Sequence, residues 1–370
     1  MKIGIDCRMY STKFTGIGKY TKQLVENLAK IDKNNQYFLY FNQEEFKDFK
    51  VPGPNFTKFE VNSPHYSIQE QTKFALALYQ TSPDVMHFTH FNSPLLYLKK
   101  QITTIHDLTL HFHPGKKYTH PLQRLAYKTV FRAAVAKSNH IITPTNHTAN
   151  DLIRLYPSAK KKTSTIYEGI DDNFANFDPM MSPKPDFELP ENYILYTGNW
   201  RSHKNLPNLL SAYQILKTDY NYSGKLVITG NPNSMYPETK IKIDEFKLHN
   251  EIITPGMIPE EHLPYLYYKA DCYVFPSLYE GFGLPVLEAF STKTPTVVSN
   301  SSCLQEVGGK GVLSFNPIDP QDIAHKIHQA ISNPETKSKL IQAGTERLKD
   351  FSFKKMAKET LNIYESVAHS

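Results

Sequence analysis

The sequence predicts an α/β protein made of two doubly wound, Rossmann-like domains in series. Short β-type runs alternate with helical patterns through the first half, and the same alternation restarts after residue 190. At 370 residues the chain also exceeds what one hydrophobic core usually organises. Strand-helix repeats of this kind make parallel sheets, because a parallel pair needs a crossover long enough to hold a helix.

In chain order, the first-half strands are expected at Lys2–Asp6, Gln36–Phe41, 85–89, 102–106 and His140–Thr143. These runs are rich in Val, Ile, Phe and Tyr, the side chains that fit a sheet buried on both faces. Between the first two lies an amphipathic helix over 18–31, with Tyr20, Leu24, Leu28 and Ile31 on one stripe. The second half repeats the pattern at 193–197, Lys225–Thr229, 272–276, Thr296–Ser299 and Val312–Phe315. Residues 171–190 hold four prolines and few periodic apolar positions, so they read as a linker. The expected division is a domain over 1–170, the linker over 171–190 and a second domain over 191–350, followed by a last helix over 351–370.

Composition excludes several classes. Hydrophobic residues make up 40% and aromatic residues 12% of the chain, too much for a disordered protein. A net charge of +6 favours acidic or phosphorylated ligands, and no nucleic-acid motif accompanies it. Cys7, Cys272 and Cys303 are widely spaced and odd in number, which implies neither a disulfide framework nor a zinc site. Cys7 and Cys272 read as small buried groups. Charge appears too early for a signal peptide, and no later run approaches the ~18 apolar residues of a membrane span. The expectation is a cytoplasmic protein, soluble or peripheral at the inner membrane face.

The most informative segment is 277–290, where Glu280 and Glu288 flank a glycine turn that opens a helix. Gly281 and Gly283 allow backbone angles closed to other residues, and Pro285 suits the first turn. Amides at such a helix start, with the helix dipole, can hold a diphosphate without a metal. Glu280 would lie in the turn beside the ligand, while Glu288, about one turn inside, would accept hydrogen bonds from ribose hydroxyls. A loop-to-helix junction with one solvent-facing and one capping glutamate is the competing structural reading.

Other candidates sit where ligands bind in open α/β sheets, after strand ends. Gly16 and Gly18 lie between the first strand and its helix, but lack the third glycine of a dinucleotide fingerprint. His106 closes the 102–106 strand beside Asp107. His111 and His113 follow, a trio without the spacing and fourth ligand that zinc prefers. Arg201 and Lys204 follow the first strand of the second domain, where two cations can stabilise a departing phosphate. No Asp-x-Asp sits in a setting fit for a metal-bound diphosphate, so no metal and no cofactor are expected. The helix Pro121–Lys137 carries Arg124, Lys128 and Arg132 at four-residue spacing with Leu125 and Val130 nearby. It reads either as a solvated face or as a surface for anionic lipid.

The string EGFGLPVLEAF, with Glu280 and Glu288 eight apart, resembles the E-x7-E signature of retaining GT-B glycosyltransferases and is similar to glycosyltransferase family 4 nearly letter for letter. The segments 265–277, 294–300 and 306–309 stand around it in the family's order. The resemblance spans nearly the whole chain and implies the GT-B fold, two Rossmann-like domains facing a cleft, with the last helix crossing back to an N-terminal acceptor domain. It implies a retaining, metal-independent hexosyltransferase in which Glu280 holds sugar hydroxyls beside the amides of Gly281, Phe282, Gly283 and Leu284, and Glu288 binds ribose. His106 would contact the donor sugar, and Gly16 and Gly18 would let the N-terminal domain close over the phosphates. Many relatives carry arginine immediately before the lysine matched by Lys204, whereas this chain has His203, so Arg201 takes the arginine's role. The opening MKIGIDCRMYSTKFTGIGKYT and the segments HFTHFNSPL and TIHDLTLHFHP most resemble bacterial mannosyltransferases of O-antigen and related surface polysaccharides. GDP-mannose is therefore the expected donor and a glycan or lipid-linked glycan the expected acceptor, contacted by N-terminal loops such as 62–73 and the region after His111. UDP-hexose donors, a GT-B sugar-nucleotide epimerase and a non-catalytic sugar-nucleotide binding protein are the alternatives.

Overall fold

The computed structural model describes residues 1–10, 15–115 and 121–370, the side chain of Thr15 apart. It divides into two compact units. One contains Met1–Leu108, Lys117–Gly169 and Ser352–Ser370, the other Thr109–Lys116 and Ile170–Phe351.

The first unit is built on a parallel sheet of seven strands. These are β1 (Lys2–Asp6), β2 (Gln36–Phe41), β3 (Phe56–Glu60), β4 (Val85–Phe88), β5 (Gln101–Thr104), β6 (His140–Thr143) and β7 (Thr163–Thr165). Their order is β3-β2-β1-β4-β5-β6-β7, so the winding reverses between β1 and β4. Central strands β4 and β5 are buried at every position, as a sheet covered on both faces requires. The sequence reading missed β3 and β7 for the opposite reason. They are the edges, their polar sequences FTKFE and TST are half-exposed, and the apolar signal is diluted.

Helix α1 (Thr15–Ile31) buries Tyr20, Leu24 and Leu28, the stripe the periodicity predicted. It starts earlier than expected, so Gly16 and Gly18 lie in its first turn and not in a loop before it. Neither adopts a positive φ, and a Cβ on Gly16 would meet nothing. The short α2 (Gln43–Asp48) follows β2, and α3 (Pro121–Lys137) buries Tyr127, Phe131, Ala134 and Val135.

In the second unit six parallel strands follow the order β10-β9-β8-β11-β12-β13. They are β8 (Tyr193–Tyr196), β9 (Lys225–Thr229), β10 (Ile252–Gly256), β11 (Cys272–Phe275), β12 (Thr296–Ser299) and β13 (Val312–Phe315). The edge strand β10 was not expected, because a proline and a register shift interrupt it. Helix α4 (Leu206–Thr218) drives Leu209, Leu210 and Tyr213 into the core beside Ile194, Ile228 and Val274. Helices α5 (Leu263–Lys269) and α6 (Leu284–Ser291) flank β11 in sequence. Residues 171–190 belong to this unit, and Phe174 is buried with its ring 5.7 Å from that of Tyr267.

The last helix, α7 (Phe353–His369), belongs to the first unit. Ser352 caps it by accepting from the Lys355 amide, and Phe353, Met356, Thr360 and Tyr364 are buried along one stripe. Tyr364 reaches β4, where its hydroxyl lies 2.6 Å from His87 Nδ1. No described helix is long and apolar enough to cross a membrane.

Candidate functional site

The glycine turn of the second unit shows why its residue types are needed. Gly283 is the N-cap of α6 with φ +98°, and a Cβ there would come within 2.8 Å of Leu304 Cδ2. Any other side chain there is strained by the positive φ and must displace the end of the Leu304 side chain. Leu284 and Pro285 form the first helical turn, placing the positive end of the peptide dipoles at the glycines. Phe282 is buried, its ring 5.8 Å from Phe351, and this anchors the turn to the core.

Two residues outside the motif hold the turn from the next loop. The Glu280 amide donates to Ser302 Oγ at 2.9 Å, and Cys303 Sγ lies 3.1 Å from the Phe282 carbonyl and 3.3 Å from that of Glu280. Burial, reinforced by the Glu280 charge, raises the Cys303 thiol well above its ordinary pKa. It therefore remains an S–H donor to these carbonyls. The sequence offered no signal for either contact.

Lys204 and Glu280, chosen from separate motifs, meet directly. Nζ lies 2.6 Å from Oε1, and the side chains are 14% and 15% exposed. The local backbone explains how Lys204 arrives there. Asn205 turns left-handed (φ +60°) and donates from Nδ2 to the carbonyls of Pro276 and Pro317, while the Leu278 amide donates to the His203 carbonyl at 2.8 Å. The 201–206 turn is thereby clasped to the segment leading into the glycines. Lys204 Nζ also stands 5.4 Å from the Phe275 ring centroid. Arg201 is exposed at the start of the turn Ser202–Lys204.

Glu288 lies inside α6 and accepts a hydrogen bond from the Tyr267 hydroxyl at 2.8 Å. Since that hydroxyl has one proton, Thr197 Oγ1, 2.6 Å away, donates to it. Burial first, then the Glu288 charge, pushes the Tyr267 phenol well up and keeps it a donor. Tyr267 was absent from the sequence candidates, although it lies within the 265–277 segment.

The remaining candidates belong to the first unit. His106 Nε2 donates to the Thr89 carbonyl at 2.8 Å, and Nδ1 faces Glu168 Oε1 at 3.6 Å. The Tyr20 ring packs edge-on at 4.8 Å. His106 and Thr89 were expected as strand residues, but β5 stops at Thr104 and β4 at Phe88, which takes both out of the ladder. The buried Glu168 is a second residue the sequence reading missed. Among the described residues no group of three or more His, Cys, Asp or Glu is arranged to hold a metal ion.

Two parallel-sheet units with a glycine-helix turn and a lysine-glutamate pair define a GT-B glycosyltransferase, and comparison with known proteins agrees. Residues 14–174 match the model for Glycosyltransferase Family 4, and residues 179–347 that for Glycosyl transferases group 1. An O-antigen chain mannosyltransferase B from Escherichia coli is 27% identical over 385 residues, covering 99% of this chain and 100% of that protein. Sucrose-phosphate synthase from Thermosynechococcus elongatus shares the fold with a TM-score of 0.77 at 19% identity, over 100% of both chains. The Anabaena protein HepE in complex with UDP-glucose does so at 0.74 and 14% identity, over 99% of this chain and 100% of that one. The chain belongs to glycosyltransferase family 4.

Proposed function

We propose that this glycosyltransferase moves mannose from GDP-mannose to a hydroxyl of a growing glycan, with retention at the anomeric carbon and without a metal. The observation that carries the reading is the Lys204–Glu280 contact of 2.6 Å at the glycine turn before α6. A cation and a helix N-terminus suit a diphosphate, and a carboxylate beside them suits sugar hydroxyls. The mannosyl choice rests on the Escherichia coli relative that matches along its whole length.

In this scheme the anomeric carbon–oxygen bond to the diphosphate breaks, and the acceptor oxygen bonds to the same face. The acceptor proton passes to the departing phosphate oxygen, so no enzymatic nucleophile is required. Lys204, with Arg201, stabilises the charge that develops on the leaving group, and Glu280 orients the sugar. Glu288, fixed by Tyr267, takes the ribose hydroxyls. Gly281, Phe282, Gly283 and Leu284 supply the phosphate-facing backbone. The roles of His106, Gly16 and Gly18 rest on the family resemblance, and each is measured by substitution. Lipid contact would use α3, where Arg124, Lys128 and Arg132 are exposed with Leu122 and Leu125.

The test incubates purified protein with GDP-mannose or UDP-glucose, a glycan acceptor, and EDTA in a parallel series. Mannose transfer that survives EDTA, with the α-anomer seen by NMR, is expected from the α-linked donor. Transfer only from UDP-glucose replaces the donor, an inverted product removes the same-face mechanism, and loss in EDTA removes metal independence.

A further inference from the structure

Strands β11 and β12 are parallel neighbours, so the glycine turn that follows β11 and the loop that leaves β12 meet at one sheet edge. The second loop is pinned before it reaches the turn. The Asn300 amide donates to the Phe315 carbonyl at 2.8 Å, and the Ser301 amide donates to Ser299 Oγ at 3.0 Å. Three consecutive residues then face the turn: Ser302 and Cys303 through the hydrogen bonds given above, and Leu304 through the Cδ2 atom that a Cβ on Gly283 would strike. Ser302 does so in a left-handed conformation, φ +58°, which a non-glycine residue holds only where its surroundings enforce it.

The direction of these bonds sets the direction of others. A thiol has one proton, and Cys303 shares it between the carbonyls of Phe282, 3.1 Å from Sγ, and Glu280, 3.3 Å away. Both carbonyls therefore point towards a fully buried side chain. In a trans peptide unit the carbonyl and the N–H that follows it point in opposite directions. The N–H groups of Gly281 and Gly283 are accordingly turned to the side of the turn opposite Cys303. The Glu280 N–H differs, because it belongs to the preceding peptide and is committed to Ser302 Oγ. Among the described residues no group accepts from the N–H of Gly283 or from that of Leu284, the first residue of α6.

N–H groups aimed beside the positive end of a helix suit an anion. Lys204 supplies charge there, whereas a fixed N–H supplies direction. We propose that Cys303, supported by Ser302, is a positioning residue for the diphosphate: by holding the Phe282 carbonyl inward it presents the Gly283 N–H, next to that of Leu284, to the leaving group. This rests on the transferase reading above and adds to it two residues that touch neither sugar nor phosphate.

The experiment uses the full chain, its Cys303→Ala and Cys303→Ser variants, and inorganic pyrophosphate, GDP and guanosine as ligands. In wild-type protein, amide NMR should show pyrophosphate moving the Gly283 proton downfield by more than the Glu280 proton, whose bond to Ser302 is already made. Cys303→Ala should weaken pyrophosphate and GDP on the order of tenfold and leave guanosine within about twofold, and Cys303→Ser, which keeps a donor, should fall between Ala and wild type. Guanosine is the control, since a general loosening of the unit weakens all three ligands alike. A Gly283 proton unmoved by pyrophosphate in wild-type protein overturns the proposal whether or not the variants fold. So does a folded Cys303→Ala variant that binds pyrophosphate as wild type does, or one that loses guanosine equally. If pyrophosphate moves the Gly283 proton but no donor is turned over, the amide arrangement stands and the transferase reading falls. Sugar transfer without that movement leaves the transferase reading and removes the positioning role.

Discussion

Lys204 and Glu280, 76 residues apart in the chain, share a contact of 2.6 Å that joins the two motifs assigned to the leaving group and the sugar. The pair is mostly buried, so removing one partner leaves the other charge poorly solvated and costs more than an exposed pair would. Under the proposed function it also sets up an exchange: an arriving diphosphate would compete with Glu280 for Lys204, and Glu280, once released, would be free to orient sugar hydroxyls.

Coupling between them follows. Lys204→Met and Glu280→Gln should each lower kcat on the order of 10²-fold, and the double variant should lose much less than the product of the two. The check is a double-mutant cycle at saturating donor. Strictly multiplicative losses would mean that the two side chains act in separate events.

Glu288 should behave differently. Glu288→Ala is expected to weaken nucleotide binding with a smaller effect on turnover, and Tyr267→Phe to do the same by about two- to tenfold, since it removes the hydroxyl that links Thr197 to Glu288 and leaves the carboxylate itself in place. Calorimetry with GDP measures both. If Glu288→Ala lowers kcat at unchanged GDP affinity, the ribose assignment is wrong.

Gly283→Ala tests the turn itself. A methyl group must push against Leu304 and hold φ at +98°, so the variant should lose roughly 1–3 kcal/mol of stability and bind nucleotide poorly. Thermal melting with and without GDP reads both effects. A variant as stable and as tight as wild type would show that the backbone at this position is not constrained.

Acid sensitivity is expected from His87. Burial, then repulsion from His106, lowers its folded pKa to about 3, while Tyr364 and Thr104 occupy its two nitrogens. The unfolded chain therefore binds the extra proton as pH falls through about 6.5. The stability this residue contributes is whole above that pH and declines towards pH 3, by up to about 1.4 kcal/mol per pH unit for one proton. His90, also held well below its ordinary pKa by burial, acts in the same direction. Denaturant midpoints between pH 7 and 5 should drop in wild type and drop less steeply in His87→Gln. Equal slopes would place the proton uptake elsewhere.

Much of the architecture was legible because it repeats. Inner strands such as β1, β6 and β12 carry buried apolar residues at their centres, and α1 and α3 announce themselves by periodicity. The edges β3, β7 and β10 were not legible, because these half-exposed strands keep polar residues and lose the pattern, whereas the edge β13, with the sequence VLSF, kept its apolar residues and was read. The placement of Gly16 and Gly18 was misread for a related reason: glycine weakens the helical signal, although the first turn tolerates it.

By itself the sequence determined the two-unit α/β organisation, the glycine turn that opens α6, and the spacing of Glu280 and Glu288, since all of these depend on residues close together along the chain. Only the tertiary structure decided that Lys204 pairs with Glu280, that Tyr267 holds Glu288, that Ser302 and Cys303 brace the turn, and that Glu168 stands beside His106. Those contacts join residues from different strand ends or, for Tyr267 and Glu288, from two different helices. A parallel sheet brings its loops to one edge whatever their separation in sequence, and no local pattern records which side chains meet there.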